Sequence, residues 1–409
     1  MMGITGFTTA PHAEAGFLDM LREQLPHGTT WLTDDAYWDK QTGLVISKDV
    51  FMEEQHFKLD YDPISLQVFE LHDKSHEEAK WYQIGWRCLA ASLSDLAAMG
   101  VYEGRVQVLI GLILPKTRSI PMHHMSALYD GFQALMQVVH EQNPAIECFI
   151  VGGDTVGTQG HLLGISVTVL THQSSQWVPA QRHHVHEGHT LWLAGHHGLS
   201  GFGLKALLAP WQVEFLKPEV KDAWRACLAH HLFPVPRFDA ARTLAQVLQP
   251  SGLTLHHVAM MDTSDGVADA CWQLLQHSQR YKTQQEVLHT LDPIHSHRTQ
   301  AEYWMMTLYP LKKWASDALC QVGEALSWSI QESLLFGGED FGLLASVPEG
   351  IELPEPWYAI GRVLEGQAIP GVPKGGVWLD QDKGGALWID PAQCFDHWRE
   401  PPTSLDTPT

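Results

Sequence analysis

A protein of two mixed α/β domains is predicted by three features of this sequence. Strand-like apolar runs alternate with helix-like periodicity in both halves. A polar stretch, "QSSQWVPAQRHHVHEGH" at 173–189, separates the halves. At 409 residues, 44% of them hydrophobic, the chain can bury sizeable cores. The boundary near residue 174 gives an N-terminal domain over 1–174 and a C-terminal α/β domain over 175–400, and "PPTSLDTPT" at 401–409 reads as a disordered tail.

The elements follow in chain order. "LVISKDVF" at 44–51 is an apolar strand ending in polar residues. "CLAASLSDLAAMG" at 88–100 is a helix: Leu89, Leu93 and Leu96 recur at i, i+4 and i+7, its alanines are strong helix formers, and Gly100 ends it. "VQVLIGLILP" at 106–115 is a strand stopped by Pro115, and "MSALYDGFQALMQVVHEQ" at 125–142 has helical period. "CFIVGGDT" at 148–155 is a short strand entering a glycine turn, and "HLLGISVTVLTH" at 161–172 alternates as a strand. Beyond the boundary, "TLWLAG" at 190–195 is a strand leading into the Gly-rich turn "GHHGLSGFG" and a helix from Leu204. "HHVAMMDTSDGVADACWQLL" at 256–275 is strand, acidic turn and helix, and "LLFGGEDFGLLASVP" at 334–348 is a turn and a strand.

Lys and Arg number 26 against 47 Asp and Glu, a net charge of −21. Nucleic-acid backbones are bound by basic surfaces, so nucleic acid is not an expected partner. A phosphorylated small molecule would be held through metal cations instead. The six Cys (Cys88, Cys148, Cys227, Cys271, Cys320, Cys394) are scattered without a C-x-x-C pair, which argues against a zinc ribbon and fits a reducing, cytoplasmic setting. The opening residues lack a basic segment followed by a long apolar core, and "VQVLIGLILP" is far short of a membrane span. Neither a signal peptide nor membrane insertion is expected.

Several carboxylates share one kind of setting. Asp34 and Asp35 stand in "TDDA", Asp49 ends "LVISKD", and Asp95 sits on the small-residue helix. Asp154 follows Gly152-Gly153, Asp262 and Asp265 lie in "MDTSDG", and Glu339 and Asp340 follow Gly337-Gly338. Acids at strand ends or beside small residues meet little backbone crowding. Hard oxygen ligands so placed suit Mg²⁺, which often brings substrate phosphates with it. The sequence has neither a P-loop nor a kinase-type Gly-rich loop, so any ATP must be held mainly through Mg²⁺ on carboxylates. Each acid taken alone also reads as a turn former or helix cap. The ordered set carries the metal reading.

The series "TDDA…SKD…EEQHF…IGWRCLAASLSDLAAMG…VGGDTVG…MDTSDGVAD…FGGEDFGLL…FDHW" resembles the thiamine-monophosphate kinases, from about Asp34 to Trp398. Their superfamily also contains aminoimidazole ribonucleotide synthetase, selenide,water dikinase and a hydrogenase maturation factor. The resemblance implies the aminoimidazole ribonucleotide synthetase-like fold, with an N-terminal mixed-sheet domain, a C-terminal α/β domain and a homodimer formed through the N-terminal sheets. It implies that ATP, with Mg²⁺, passes its terminal phosphoryl group directly to thiamine monophosphate, giving thiamine diphosphate and ADP. Asp35, Ser47, Lys48, Asp49, Asp95, Asp154, Asp262 and Asp265 match the family's Mg²⁺ contacts, with Asp95 at the position that bridges ions between the phosphates. Gly153, Asp154, Arg182 and Ser264 match nucleotide contacts. His56, Glu339 and Phe395 match thiamine-side contacts. The acceptor is an ionised phosphate oxygen, so positioning and charge neutralisation can carry the catalysis without a general base.

The sequence departs from the family pattern in places. Thr33 stands where a Gly is usual, Lys48 replaces a Thr, and "GGDTVGTQG" lacks an Arg. Residues 58–80 form an acidic insertion, and 276–333 are longer than the family norm. "RHHVHEGH" and "GHHG", among 25 His, raise a rival zinc or nickel site, but their spacing matches no standard one. Two other readings stay open: another ATP-using enzyme of the superfamily, and a nucleotide-binding regulator without catalysis. Against selenide,water dikinase stands the lack of an N-terminal Cys and Lys pair. Against the hydrogenase factor stands a tail without a terminal Cys.

Overall fold

The computed structural model describes residues 33–60, 73–209, 216–290, 304–366, 375–382 and 384–394, with residues 20, 21, 24 and 214 besides; for 284–290 it gives the backbone alone. Phe395, the 401–409 tail and parts of both long insertions lie outside the described residues.

The first sheet is built from β1 (Tyr37–Asp39), β2 (Leu44–Met52), β3 (Gly104–Pro115), β4 (Ile146–Thr158) and β5 (Gly164–His172). Their order is β1-β2-β5-β3-β4, with β3 and β4 parallel and the other pairs antiparallel. Helices α1 (His76–Ala98) and α2 (Met122–Gln142) pack against each other, α1 on β2 and β5 and α2 on β4.

Helix α1 begins well before the predicted 88–100. Its start is a capping box: the Ser75 hydroxyl accepts from Glu78 N–H, and Glu78 Oε2 accepts from Ser75 N–H. The signal "SHEE" lies inside the stretch read as an insertion. Leu89, Leu93 and Leu96 are fully buried on it, each contributing roughly 2 kcal/mol of apolar burial.

The second sheet runs β12-β11-β8-β10-β6-β9-β7. Its strands are β6 (Thr190–Ala194), β7 (Ala259–Asp262), β8 (Trp304–Leu308), β9 (Leu343–Val347), β10 (Trp357–Glu365), β11 (Gly376–Asp380) and β12 (Ala386–Trp388). The helices of this half are α3 (Leu199–Leu208), α4 (Pro218–Leu232), α5 (Phe238–Leu248), α6 (Val267–Thr290), α7 (Asp317–Leu326) and α8 (Ile330–Phe336). One apolar core joins the halves: Leu89, Leu93 and Val167 cluster with Phe238, Leu244, Met260 and Leu343. Trp86 Nε1 donates to Pro234 O across the same junction at 2.7 Å.

Two glycine readings need correction. The glycines of 152–157 do not make a turn, because β4 runs on to Thr158. A Cβ on Gly153 would stand 1.8 Å from Ile110 O, so glycine there permits the close approach of β3. Likewise α3 starts at Leu199, not Leu204. Gly203 lies inside this helix because α4 comes so near that a Cβ would meet Cys227 O at 2.3 Å.

Candidate active site

Three segments converge on α1, two from the start of the first half and one from the second. Strand β2 lies along it, and side-chain alternation turns Ser47 and Asp49 toward the helix. Ser47 Oγ donates to Asp95 Oδ2 at 2.5 Å, and Ser92 Oγ donates to Asp49 Oδ2 at 2.6 Å. The end of β7 brings Asp262, whose two oxygens accept from Ser94 Oγ at 2.8 Å and Ser264 Oγ at 2.9 Å. Asp35 enters from the segment before β1. Ligand oxygens of Asp35, Asp95 and Asp262 lie within 4.8 Å of one another.

Burial, then the carboxylates of Asp49, Asp262 and Asp35, hold Asp95 well above the usual carboxylate range. Burial and Asp35 push Asp262 up to about 7, and burial raises Asp35 and Asp49. Arg182 pairs with Asp35, its Nη2 donating to Asp35 Oδ1 at 2.7 Å. One guanidinium among four buried or part-buried acids leaves negative charge to be met. Oxygen donors only, closely spaced and hydroxyl-oriented, fit a hard divalent cation such as Mg²⁺. The two acids of "TDDA" differ: Asp34 accepts from Arg182 N–H at 2.8 Å and from Gln181 Nε2 at 3.2 Å, pinning the 181–182 loop.

The acidic turns of the second half are tied together. Glu339 N–H donates to Ser264 O at 2.6 Å, and Thr263 N–H donates to Gly342 O at 3.1 Å. Asp265 is half-buried in the first turn. Glu339 adopts φ 54°, a left-handed conformation costing a side-chain-bearing residue roughly 1–2 kcal/mol. Its carboxylate pairs with Arg87 at 2.7 Å. Asp340 instead accepts the N–H groups of Gly198 and Ser200 at the start of α3. His56 lies in the turn after β2, where its Nδ1 accepts from Met52 N–H at 3.0 Å and its ring meets Phe51 edge-on.

Two expected residues are not brought to this cluster. Across the first sheet, Asp49 shares a row with Val167, Ile110 and Gly153, the row facing α1. Asp154 shares the next row with Gly111, Ser166 and Val50, so it belongs to the opposite face. It is also three strands from Asp49, about 14 Å at the usual strand spacing. Lys48 points the same outward way, its ammonium donating to Ser166 Oγ at 2.6 Å. Lys48→Thr is therefore expected to leave kcat and the Mg²⁺ dependence of turnover within about twofold of wild type, checked by steady-state titration. A steeper Mg²⁺ dependence in the Thr variant would contradict this placement.

The histidines of 182–189 stack rather than converge. His183 lies against Tyr281 at 4.1 Å and His184 against His256 at 4.4 Å. Burial and the neighbouring imidazoles push His184 down to about 3, so it is neutral. Among the described residues, only Asp35, Asp95 and Asp262 form a metal-sized group of three. Ser92, Ser94, Arg87 and His231 are site residues that the sequence reading missed. The serines flank Asp95 in "SLSD", but their partners lie 43 and 168 residues away.

Comparison with known proteins agrees with this architecture. Residues 33–171 match the family of AIR synthase related proteins, N-terminal domain. The thiamine-monophosphate kinase of Synechococcus elongatus is 32% identical over 236 residues, which are 58% of this chain and 60% of that one. The thiamine-monophosphate kinase of Bacillus subtilis is 26% identical over 341 residues, 82% of this chain and 81% of that one. The chain thus spans less than two thirds of the first relative and most of the second. The fold matches the crystal structure of thiamine monophosphate kinase from Aquifex aeolicus with TM-score 0.62 at 23% identity, covering 90% of this chain and 97% of that one. AaThiL complexed with AMPPCP and TMP gives TM-score 0.63 at 23% identity, covering 89% and 93%. In fold and over residues 33–171 the chain is similar to the AIR synthase related proteins. Along most of its length it is similar to the thiamine-monophosphate kinases.

Proposed function

We propose that this chain is a Mg²⁺-dependent kinase that moves the terminal phosphoryl group of ATP onto a phosphate oxygen of thiamine monophosphate, yielding thiamine diphosphate and ADP. The observation that carries this reading is the convergence of Asp35, Asp95 and Asp262 on one point, each from a motif of the resemblance. One bond forms between the acceptor oxygen and the γ-phosphorus, and one breaks between that phosphorus and the leaving ADP oxygen. Bound at the cluster, Mg²⁺ supplies neutralisation of phosphate charge. Ser47, Ser92, Ser94 and Ser264 fix the carboxylates so that little reorganisation is needed on binding. The Arg182 guanidinium, already beside Asp35, is placed to turn to nucleotide phosphate. Residues 1–174 serve ATP, Mg²⁺ and dimerisation in this reading, and 175–400 complete the nucleotide and substrate site. The test is incubation with ATP, Mg²⁺ and thiamine monophosphate, separated by chromatography. Thiamine diphosphate is expected, and ATP consumed without it would sink the reading.

The working unit is a homodimer through the outer face of the first sheet. Val50, Leu109, Phe149, Val151 and Val156 are exposed on β2, β3 and β4, from 36% to 54%. Asp154 lies on that same face, so pairing through it gives Asp154 a route to the nucleotide. Val151→Glu with Val156→Glu is expected to halve the mass seen in sedimentation and to lower activity. A dimeric double variant would contradict this interface. No helix of the described residues is long and apolar enough to cross a membrane, and the six Cys are free, which supports a cytoplasmic setting.

A further inference from the structure

We infer that Arg87 is a positioning residue for the heterocyclic end of the substrate, holding Glu339 ready to accept a hydrogen bond from the aminopyrimidine. The inference rests on the proposed thiamine monophosphate reading. Arg87, Ala91 and Asp95 form one stripe of α1 at i, i+4 and i+8. Eight residues of helix put Arg87 about 12 Å from Asp95 along the axis. An extended phosphate–thiazolium–aminopyrimidine molecule covers a span of that order. With its phosphate at the carboxylate cluster, its ring system reaches the Arg87–Glu339 pair.

The pair is held from two sides. Arg87 Nη2 is 2.7 Å from Glu339 Oε2, and Nη1 is 3.2 Å from His231 Nε2. A guanidinium only donates, so His231 Nε2 accepts and its Nδ1–H is left to donate to Ser200 Oγ, 3.0 Å away. Ser200 N–H is in turn held by Asp340 Oδ1 at 2.9 Å. His231 Nδ1 is also 3.7 Å from Glu339 Oε2, too long for a hydrogen bond, and burial and Arg87 keep the ring neutral, so it orients Arg87 and adds no charge to the pair. On the other side, the N–H of Glu339 is fixed to Ser264 O in the turn that carries Asp262. The Glu339 side chain remains 38% exposed, and among the described residues its Oε1 has no partner. Arg87 takes one oxygen and leaves the other toward solvent. In so acidic a chain the unpaired carboxylate would be repelled by its neighbours and would swing away.

Steady-state kinetics on the full chain test this. Arg87→Met is expected to raise KM for thiamine monophosphate about tenfold and to leave KM for ATP within about twofold, and Arg87→Lys to recover most of the loss. Glu339→Gln should raise the same KM, and adding Arg87→Met to it should change little, because the two act as one unit. An unchanged KM for thiamine monophosphate in Arg87→Met, or a rise in KM for ATP in its place, overturns the inference. If Arg87→Met loses cooperative thermal unfolding, Arg87→Lys and Glu339→Gln decide: additive effects in their double variant overturn it, and non-additive ones support it. A wild-type chain that makes no thiamine diphosphate overturns the proposed function and this inference with it. Wild-type turnover with an insensitive Arg87→Met overturns the inference alone.

Discussion

Asp95→Asn is expected to lower kcat by more than about a thousandfold, about 4 kcal/mol in barrier, while raising the unfolding temperature of the metal-free chain. The two effects have one cause. Asp95 is part-buried among Asp35, Asp49 and Asp262, and its charged form is penalised in the absence of a cation. Asn keeps the shape and removes the charge, so the metal-free fold is relieved. An amide would hold a divalent cation poorly where a carboxylate would hold it well, so turnover is lost. Steady-state kinetics and thermal melts in chelator check both signs. A variant that retains more than about a tenth of wild-type kcat, or that is less stable without Mg²⁺, would show that Asp95 is only a structural acid.

The rise in unfolding temperature caused by Mg²⁺ is expected to be larger at about pH 8 than at about pH 5.5. Asp262 titrates at about 7 in the folded chain, raised by burial and by Asp35, against roughly 3.9 when unfolded. A carboxyl raised in this way favours the folded state while protonated, and that contribution is lost as pH rises through the folded value. At low pH, Mg²⁺ must displace those protons. At high pH it meets bare carboxylates and removes their repulsion. Each tenfold gain in apparent affinity, with the ion in excess, adds about 1.4 kcal/mol to stability. Buried histidines such as His197, lowered to about 4 chiefly by burial, push stability the other way between about pH 4 and 6.5. They contribute equally with and without Mg²⁺, so the difference between paired melts isolates the carboxylates. An equal Mg²⁺ shift at both pH values would contradict the cluster.

Much of this arrangement is legible in the sequence, and what is not has physical causes. The strands at 44–51 and 106–115 show because apolar runs bounded by polar residues survive any context. Asp35, Asp95 and Asp262 stand out through their neighbours, which are small or turn-forming. Their convergence comes from the motif order of the resemblance, not from spacing. The helical glycine Gly203 and the strand glycine Gly153 mislead, because local rules read glycine as a turn while close packing of another element is what requires it here. The first three turns of α1 hide in a stretch of charges, although its capping box is present. The face on which Asp154 lies follows from strand register, which no single stretch of sequence reveals. Arg87 and His231 are ordinary helix residues until a chain separation of 144 positions folds back to join them.

Direct phosphoryl transfer at the Asp35–Asp95–Asp262 cluster is tested by a single incubation with ATP labelled at the γ-phosphate, Mg²⁺ and thiamine monophosphate, with the products separated and the label located. Label is expected to enter thiamine diphosphate at its terminal phosphate, in step with ADP, and Asp95→Asn to abolish both. Label released as inorganic phosphate with no thiamine diphosphate, or AMP formed in place of ADP, would contradict it.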